Sequence, residues 1–170
     1  MPEAHAFSTI PTKILVPIDF SPSSHAAVES AADLAQHFGA ALHLVHVIPM
    51  FPVTTLPDFF PEAKFTEEAT SEAQRHFAAV TADLTGKGIK VTSSVEAGDD
   101  VASSILESVE SESADMVVIS THGLTGWHPL VFGSIAEKVM KLVACPVLLL
   151  RTPKPVSSAK VASGRLMEWW

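Results

Sequence analysis

The sequence KILVPIDFSPSS occupies residues 13–24 and contains the first strand and the first helix start of the chain. Lys13 to Asp19 is short, apolar and without polar alternation, which predicts a parallel strand buried on both faces. Ser21 then fits the N-cap of a helix, and Pro22 fits its first position, where the missing amide hydrogen costs nothing. The stretch therefore predicts a strand that passes directly into a helix.

The same alternation continues along the chain. Apolar spacing extends the first helix to about Phe38, and Gly39 is suited to end it in the left-handed conformation. Further strands are predicted at 41–48, 90–96, 115–119 and 146–151, and further helices at about 63–86, 98–113 and 133–143, with a proline-rich loop at 50–61. This order predicts an α/β fold: a doubly wound, five-stranded parallel sheet with right-handed crossovers and helices on both faces.

Length and composition predict one folded domain with short extensions. The 170 residues are 47% hydrophobic and 18% charged, which excludes a disordered chain. The predicted division is an N-terminal extension at 1–12, the α/β domain at 13–152 and a C-terminal tail at 153–170. The tail ends in Trp169 and Trp170, which could dock on a partner or fold back on the domain.

Charge and apolar content exclude two classes of partner. The net charge is −8 and the 11 Lys and Arg residues are scattered, so no basic face for nucleic acid is expected. No apolar run approaches the ~20 residues that cross a bilayer. The N-terminus lacks the basic and apolar pattern of a secretion signal, and Cys145 is the single cysteine, which predicts a cytoplasmic protein.

Ligands of open parallel sheets bind beyond the carboxyl ends of the strands. In this chain that rule selects residues 17–21, 46–50 and 120–134. Neither GxGxxG nor GxxxxGK[ST] occurs, which disfavours a standard NAD enzyme and a P-loop ATPase.

The segment after the fourth predicted strand is the most informative. It reads Ser-Thr-His-Gly at 120–123 and reaches Gly133 and Ser134 at a helix start. Glycine permits close backbone approach, and a helix N-terminus offers amide groups and a positive dipole to an anion. The residues fit a phosphate cradle, and they fit equally a glycine-shaped turn in which Ser134 caps a helix.

This segment closely resembles the universal stress protein signature G-x2-G-x9-G-[ST]. Gly123, Gly133 and Ser134 match it in register, and Ser120 stands at its first position in place of glycine. The resemblance extends over nearly the whole domain, through KILVPIDFS at 13–21, LHLVHVI at 42–48, ADMVVISTHG at 114–123, GSIAEKV at 133–139 and CPVLLLR at 145–151.

The resemblance implies strand order 3-2-1-4-5, the adenine-nucleotide alpha-hydrolase-like arrangement, with an adenine nucleotide at the strand ends. It implies that Pro17, Ile18 and Asp19 meet the adenosine, with Asp19 suited to the ribose hydroxyls, and that Val47 contacts adenine. Around the ribose and phosphates it implies a larger set: Ser120, Thr121, His122, Gly123, Gly133, Ser134 and Ile135.

The function expected from this resemblance is regulatory: the protein would bind ATP, ADP or AMP in the stress response. Mg²⁺ would serve mainly to neutralise the phosphates. No catalytic residue is predicted, because no group is suited to activate water, so any ATP hydrolysis would be slow. His122 is expected to position a ligand. The resemblance also implies a homodimer paired through Val147 to Leu150, with protein partners unknown.

Two alternatives remain open from the sequence. The Cβ of Ser120 could crowd a ligand, so a family member that binds proteins without nucleotide is the second hypothesis. An ATP-using ligase or pyrophosphatase normally has a glycine-rich loop after the first strand, where this chain has DFSPSS. The remaining histidines lack the paired spacing of a metal site and are interpreted as structural or surface residues, and Cys145 lacks an adjacent base for redox chemistry.

Overall fold

Strands and helices alternate from residue 13 to residue 150 in a computed structural model that describes residues 10–50, 62–121 and 133–151. The elements of this part of the chain, in order, are β1 (Lys13–Pro17), α1 (Pro22–Phe38), β2 (Ala41–Pro49), α2 (Glu62–Gly86), β3 (Val91–Gly98), α3 (Val101–Ser111), β4 (Met116–Ser120), α4 (Ser134–Leu142) and β5 (Val147–Leu150). Residues 1–9 of the predicted N-terminal extension, residues 51–61 of the predicted loop, His122, Gly123 and the predicted tail at 153–170 lie outside the described residues.

The five strands form one parallel sheet in the order β3-β2-β1-β4-β5. This confirms the predicted fold class, including the strand order that the resemblance implied. The order reverses at β1, which lies between β2 and β4 at the centre of the sheet. The topological switch point, where ligands of such sheets bind, therefore lies at the carboxyl end of β1.

Apolar residues on the two faces of the sheet form two separate cores. On one face Ile14 and Val16 of β1 pack with α1 and with Phe77 of α2. On the other face Leu15 packs with Ile105 of α3 and with residues of α4. Successive residues of β1 point to opposite faces and all three are fully buried, which explains why this strand is apolar without alternation.

The ends of α1 follow the residues predicted to set them. The Oγ of Ser21 accepts a hydrogen bond from the Ser24 amide at 3.2 Å, and Pro22 occupies the first turn. Gly39 ends the helix with φ of 70°, in the left-handed region that favours glycine. The helix start is thus fixed directly behind the carboxyl end of β1.

Several boundaries differ from the sequence prediction by one to three residues, two of them at the carboxyl end of the sheet. β1 ends at Pro17 and not at Asp19. Gly98, interpreted as the start of a helix, is the last residue of β3, and its carbonyl accepts a hydrogen bond from the Met50 amide at 3.0 Å. Asp100 is the N-cap of α3 in its place, because its carboxylate accepts from the Ala102 amide at 3.1 Å.

A polar cluster surrounds His43 in the first half of β2. The imidazole is 3% exposed and bonds the hydroxyls of Thr92 at 2.8 Å and Ser94 at 3.1 Å, both on β3. Its Nδ1 lies 3.6 Å from the carboxylate of Glu112, which accepts a hydrogen bond from Lys13 at 3.0 Å. Burial lowers the pKa of His43, and nearby Glu112 opposes that shift. Of the two interpretations open from the sequence, structural or surface, burial and these hydrogen bonds favour a structural role for His43.

Candidate nucleotide-binding site

A cavity of about 340 Å³ opens at the carboxyl end of the sheet, at the switch point between β1, β2 and β4. Small-molecule sites typically enclose roughly 300–1,000 Å³, so its size suits a ligand such as a nucleotide. Its lining comes from the ends of these three strands and from the starts of α3 and α4. The predicted site residues that line it are Pro17, Ile18, Asp19, Val47, Ser120, Thr121, Gly133, Ser134 and Ile135.

The turn after β1 places Asp19 on the cavity wall. The Asp19 Oδ1 accepts hydrogen bonds from the Ser21 amide at 3.1 Å and from the Ser21 hydroxyl at 2.5 Å. Between them, Phe20 has φ of 60°, a conformation that a bulky side chain rarely adopts. The turn is therefore strained and is held by its side-chain hydrogen bonds.

The end of β2 forms a second wall, through Val45, His46, Val47 and Pro49. The Ile18 amide donates to the Val45 carbonyl at 2.9 Å. The Nδ1 of His46 lies 2.7 Å from the Ile18 carbonyl oxygen, and because a carbonyl only accepts, this nitrogen carries the hydrogen. The His46 ring also contacts Phe20, with ring centroids 4.8 Å apart.

A third wall is apolar and comes from the α3 side of the sheet. Val101, Ile105, Ile119 and Ala136 line it, with Val47. This apolar surface suits the flat face of a base.

A hydrogen bond from the Lys138 ammonium to the Asp100 carboxylate links α4 to the start of α3. This bond, with those from Ser103 and Ala102, holds the pKa of Asp100 at about 2.

The junction of β4 and α4 forms the remaining wall. The Thr121 amide donates to the Leu150 carbonyl at 2.9 Å, and the Gly133 amide donates to the Thr121 carbonyl at 2.8 Å. A Cβ on Gly133 would lie 2.9 Å from that same oxygen, closer than real Cβ contacts come. Glycine at this position is thus required by backbone contact within the protein, whether or not a ligand also approaches it.

The N-terminus of α4 is open to the cavity. Gly133 is its N-cap, so Ser134 is the first helical residue and not the cap that the sequence allowed. No side chain in the described ranges caps this helix, whereas Ser21 caps α1 and Asp100 caps α3. The first amides of α4 lie where Ser134 and Ile135 line the cavity, and such groups bind anions.

Sequence reasoning missed several residues of the cavity wall. They are Ser24, Val45, His46, Pro49, Val101, Ile105, Ile119 and Ala136. The apolar ones could be recognised from the sequence only as core residues, since their position at the cavity depends on strand register. His46 had a signal, because it lies in the segment after β2 that the switch-point rule selects.

The described residues lack two features, a metal-binding cluster and a membrane-spanning helix. No three His, Cys, Asp or Glu side chains among residues 10–50, 62–121 and 133–151 are grouped to hold a metal ion. No helix in those ranges is long and apolar enough to cross a membrane.

Fold and cavity together define a parallel α/β protein with a candidate ligand site at the switch point. The model of the universal stress protein family matches residues 11–151, and the chain belongs to that family. A universal stress protein of Methanocaldococcus jannaschii is 32% identical over 142 residues, which are 84% of this chain and 83% of that protein. A second relative, YxiE of Bacillus subtilis, is 28% identical over 147 residues, 82% of this chain and 98% of its own.

Solved structures share the fold. The hypothetical protein MJ0577 superposes with a TM-score of 0.76 at 25% identity, covering 86% of this chain and 99% of its own. A universal stress protein in complex with cAMP gives a TM-score of 0.56 at 19% identity, covering 84% of this chain and 98% of its own. One from Archaeoglobus fulgidus in complex with dAMP gives 0.55 at 20% identity, covering 82% and 98%.

Proposed function

We propose that this protein binds an adenine nucleotide, ATP or its ADP and AMP relatives, in the cavity at the switch point. Binding would act as a regulatory or sensing step in the stress response of the cytoplasm. The observation that carries the proposal is that every predicted nucleotide-contacting residue within the described ranges lines one cavity, onto which the uncapped N-terminus of α4 opens.

The walls of the cavity differ in the chemistry that they offer a nucleotide. The apolar wall around Val47, Ile105 and Ile119 suits a base. Asp19 lines the cavity from the turn after β1, and its carboxylate can accept hydrogen bonds from ribose hydroxyls. The amides at the start of α4 suit phosphate. A nucleoside phosphate meets all three requirements in one molecule.

The nucleotide complexes of the two family structures support this class of ligand, since both hold an adenine nucleotide on the same fold. The number of phosphates on the bound nucleotide, one in AMP, two in ADP or three in ATP, is part of the proposal. The chain carries a net charge of −8, so a triphosphate is expected to bind with Mg²⁺, which offsets part of the repulsion. We propose at most slow hydrolysis, because none of the described residues that line the cavity is a lysine or an arginine that could stabilise the charge of a transferred phosphoryl group.

Calorimetry with ATP, ADP and AMP, each with and without Mg²⁺, tests the proposal. Saturable binding to the wild-type chain is expected, with Asp19→Asn weakening it by roughly tenfold or more through the lost charged acceptor. Asp33→Asn, an exposed acid on α1 outside the cavity, is the matched control and should leave binding unchanged. Mass spectrometry of small molecules released from the purified protein checks for nucleotide carried through purification.

Failure of all three nucleotides to bind the wild-type chain would refute the proposal. It would favour the alternative that the sequence left open, a family member that acts by binding other proteins.

We also propose a homodimer through the edge strand β5. Within the described residues β5 pairs only with β4, so its outer edge offers free backbone groups, and Leu148 is 37% exposed on it. An apolar edge strand is a hazard unless it is paired or covered. A two-fold axis would pair Val147 to Leu150 with the same residues of a second copy.

A further inference from the structure

We infer that His46 is a positioning residue for the proposed nucleotide site. It holds the turn at 18–21 so that the Asp19 carboxylate is fixed on the cavity wall for ribose recognition. This inference rests on the proposed function and adds to it the residue that sets sugar specificity.

The first observation is that a side-chain hydrogen bond from His46 takes the place of a backbone hydrogen bond between β1 and β2. The Leu42 amide donates to the Lys90 carbonyl, just before β3, and the Met50 amide donates to the Gly98 carbonyl of β3. The amides of even-numbered residues of β2 therefore face β3, and those of odd-numbered residues face β1. The Ile18 amide donates to the Val45 carbonyl. In a regular parallel pair of strands, the next hydrogen bond would run from the Val47 amide to the Ile18 carbonyl. The His46 imidazole donates to the Ile18 carbonyl instead, with its Nδ1 2.7 Å from the oxygen. Strand pairing therefore ends, and the turn begins, at Ile18.

The second observation is that His46 also contacts the residue after Asp19. Its ring lies 4.8 Å from the ring of Phe20, the strained residue with φ of 60°. Phe20 in turn packs against Phe77 of α2 at 5.4 Å. A bulky residue keeps this conformation only where its surroundings determine it, and His46 is part of those surroundings.

Asp19 is thereby flanked on both sides by groups that His46 holds: the Ile18 carbonyl before it and the Phe20 ring after it. The hydrogen bonds from Ser21 fix the carboxylate relative to the turn, but not the turn relative to β2. Loss of the imidazole would leave Asp19 present and let the turn move. The specific effect expected is reduced sugar discrimination, because a ribose offers the Asp19 carboxylate its 2′-hydroxyl and a 2′-deoxyribose does not.

The experiment compares two substitutions at His46 with one nearby control. His46→Asn keeps an N–H donor close to the place of Nδ1, whereas His46→Leu removes it at similar volume. His76→Leu is the control, because His76 also contacts Phe20, at 4.7 Å, but is exposed and does not line the cavity. Thermal unfolding establishes that each variant is folded before binding is measured.

Calorimetry measures the affinities for the adenine nucleotide that the wild-type chain binds and for its 2′-deoxy analogue. We expect the wild type to prefer the ribose form, and His46→Leu to lose roughly tenfold for the ribose form and distinctly less for the deoxy form. The preference should survive in His46→Asn and His76→Leu. In a double-mutant cycle, Asp19→Asn and His46→Leu should be non-additive.

The inference would be overturned if His46→Leu left the ratio of the affinities for the ribose and deoxy forms unchanged, or if the effects in the cycle were additive. The proposal that the protein binds an adenine nucleotide would still stand. Absence of sugar preference in the wild type would overturn the inference as well. Failure of the wild type to bind any adenine nucleotide would instead refute the proposed function, and this inference with it.

Discussion

The amide nitrogen of Gly133 lies 2.8 Å from the carbonyl oxygen of Thr121, and this hydrogen bond joins the residue after β4 to the N-cap of α4. The contact brings together two positions that are 12 residues apart in the sequence. It sets where the N-terminus of α4 lies relative to the end of β4, and hence relative to the cavity.

Substitution of Gly133 by alanine tests this contact. The added Cβ would meet the Thr121 oxygen at 2.9 Å, so backbone must shift, and we expect a loss of about 1–3 kcal/mol in the free energy of unfolding. Denaturant unfolding followed by circular dichroism measures it. Gly86→Ala is the control, since no atom lies within 4 Å of its Cβ position, and a change there equal to that at Gly133 would contradict the explanation.

The His43 cluster predicts how stability depends on pH. Burial lowers the pKa of His43 below 6.5 in the folded state, so as pH falls through 6.5 the unfolded chain takes up a proton that the folded chain does not. The free energy of unfolding should therefore decrease from pH 8 to pH 5.5. Urea unfolding at a series of pH values measures this slope.

A variant separates His43 from other groups in that pH range. His43→Gln should flatten the slope, and His37→Gln, at an exposed position on α1, should not. The hydrogen bond from Lys13 lowers the pKa of Glu112 from its ordinary 4.5, so protonation of Glu112 changes the free energy of unfolding only below pH 4.5. An equal slope in the wild type and His43→Gln would show that the histidine is not responsible.

The Asp100–Lys138 pair predicts a titration that NMR can follow directly. The pKa of Asp100 is about 2, and in Lys138→Met it should rise toward the ordinary 3.8, because the hydrogen bond from the ammonium is its main cause. A folded-state pKa below the unfolded value stabilises the protein above pH 3.8, and this contribution is lost as pH falls toward 2. An unchanged pKa in Lys138→Met would contradict the contact.

The two roles of Asp100 can be separated by substitution. Asp100→Asn keeps a good N-cap for α3 and removes the charge, whereas Asp100→Ala removes both. We therefore expect Asp100→Ala to be the less stable of the two, because it loses the N-cap acceptor. Equal stability of the two variants in urea unfolding would show that the cap contributes little.

The proposed dimer predicts that a charge on the β5 edge produces monomers. Leu148→Lys places an ammonium group on the exposed edge, and light scattering after gel filtration should then give the mass of one chain, against two for the wild type. Phe38→Lys, at an exposed apolar residue at the end of α1, is the control and should stay dimeric. A monomeric wild type at micromolar concentration would refute the dimer.

Local features of the fold could be predicted from the sequence. The N-cap Ser21, the following proline and Gly39 set the ends of α1 through contacts with near neighbours, and a short window of sequence contains them all. Strand order could not be derived in this way, because the alternating pattern fits several orders. The resemblance to the universal stress protein family supplied it.

Features that depend on strand register could not be predicted. Gly98 belongs to β3 because its carbonyl meets the Met50 amide across the sheet, and nothing near it in sequence indicates that bond. His43 and His46 are close in sequence, yet one is enclosed by hydroxyls of β3 and the other bonds the end of β1. Their separate roles follow from which neighbouring strand each side chain meets.

The anchoring of Thr121 and Gly133 to each other bears on how this family can diversify. The entropy of closing a segment between fixed ends grows only with the logarithm of its length, by about 0.6 kcal/mol per doubling. A change in the number of residues between Thr121 and Gly133 would therefore change this entropy by only a fraction of a kcal/mol. The sheet, whose strands lie outside that interval, is expected to tolerate such variation in length.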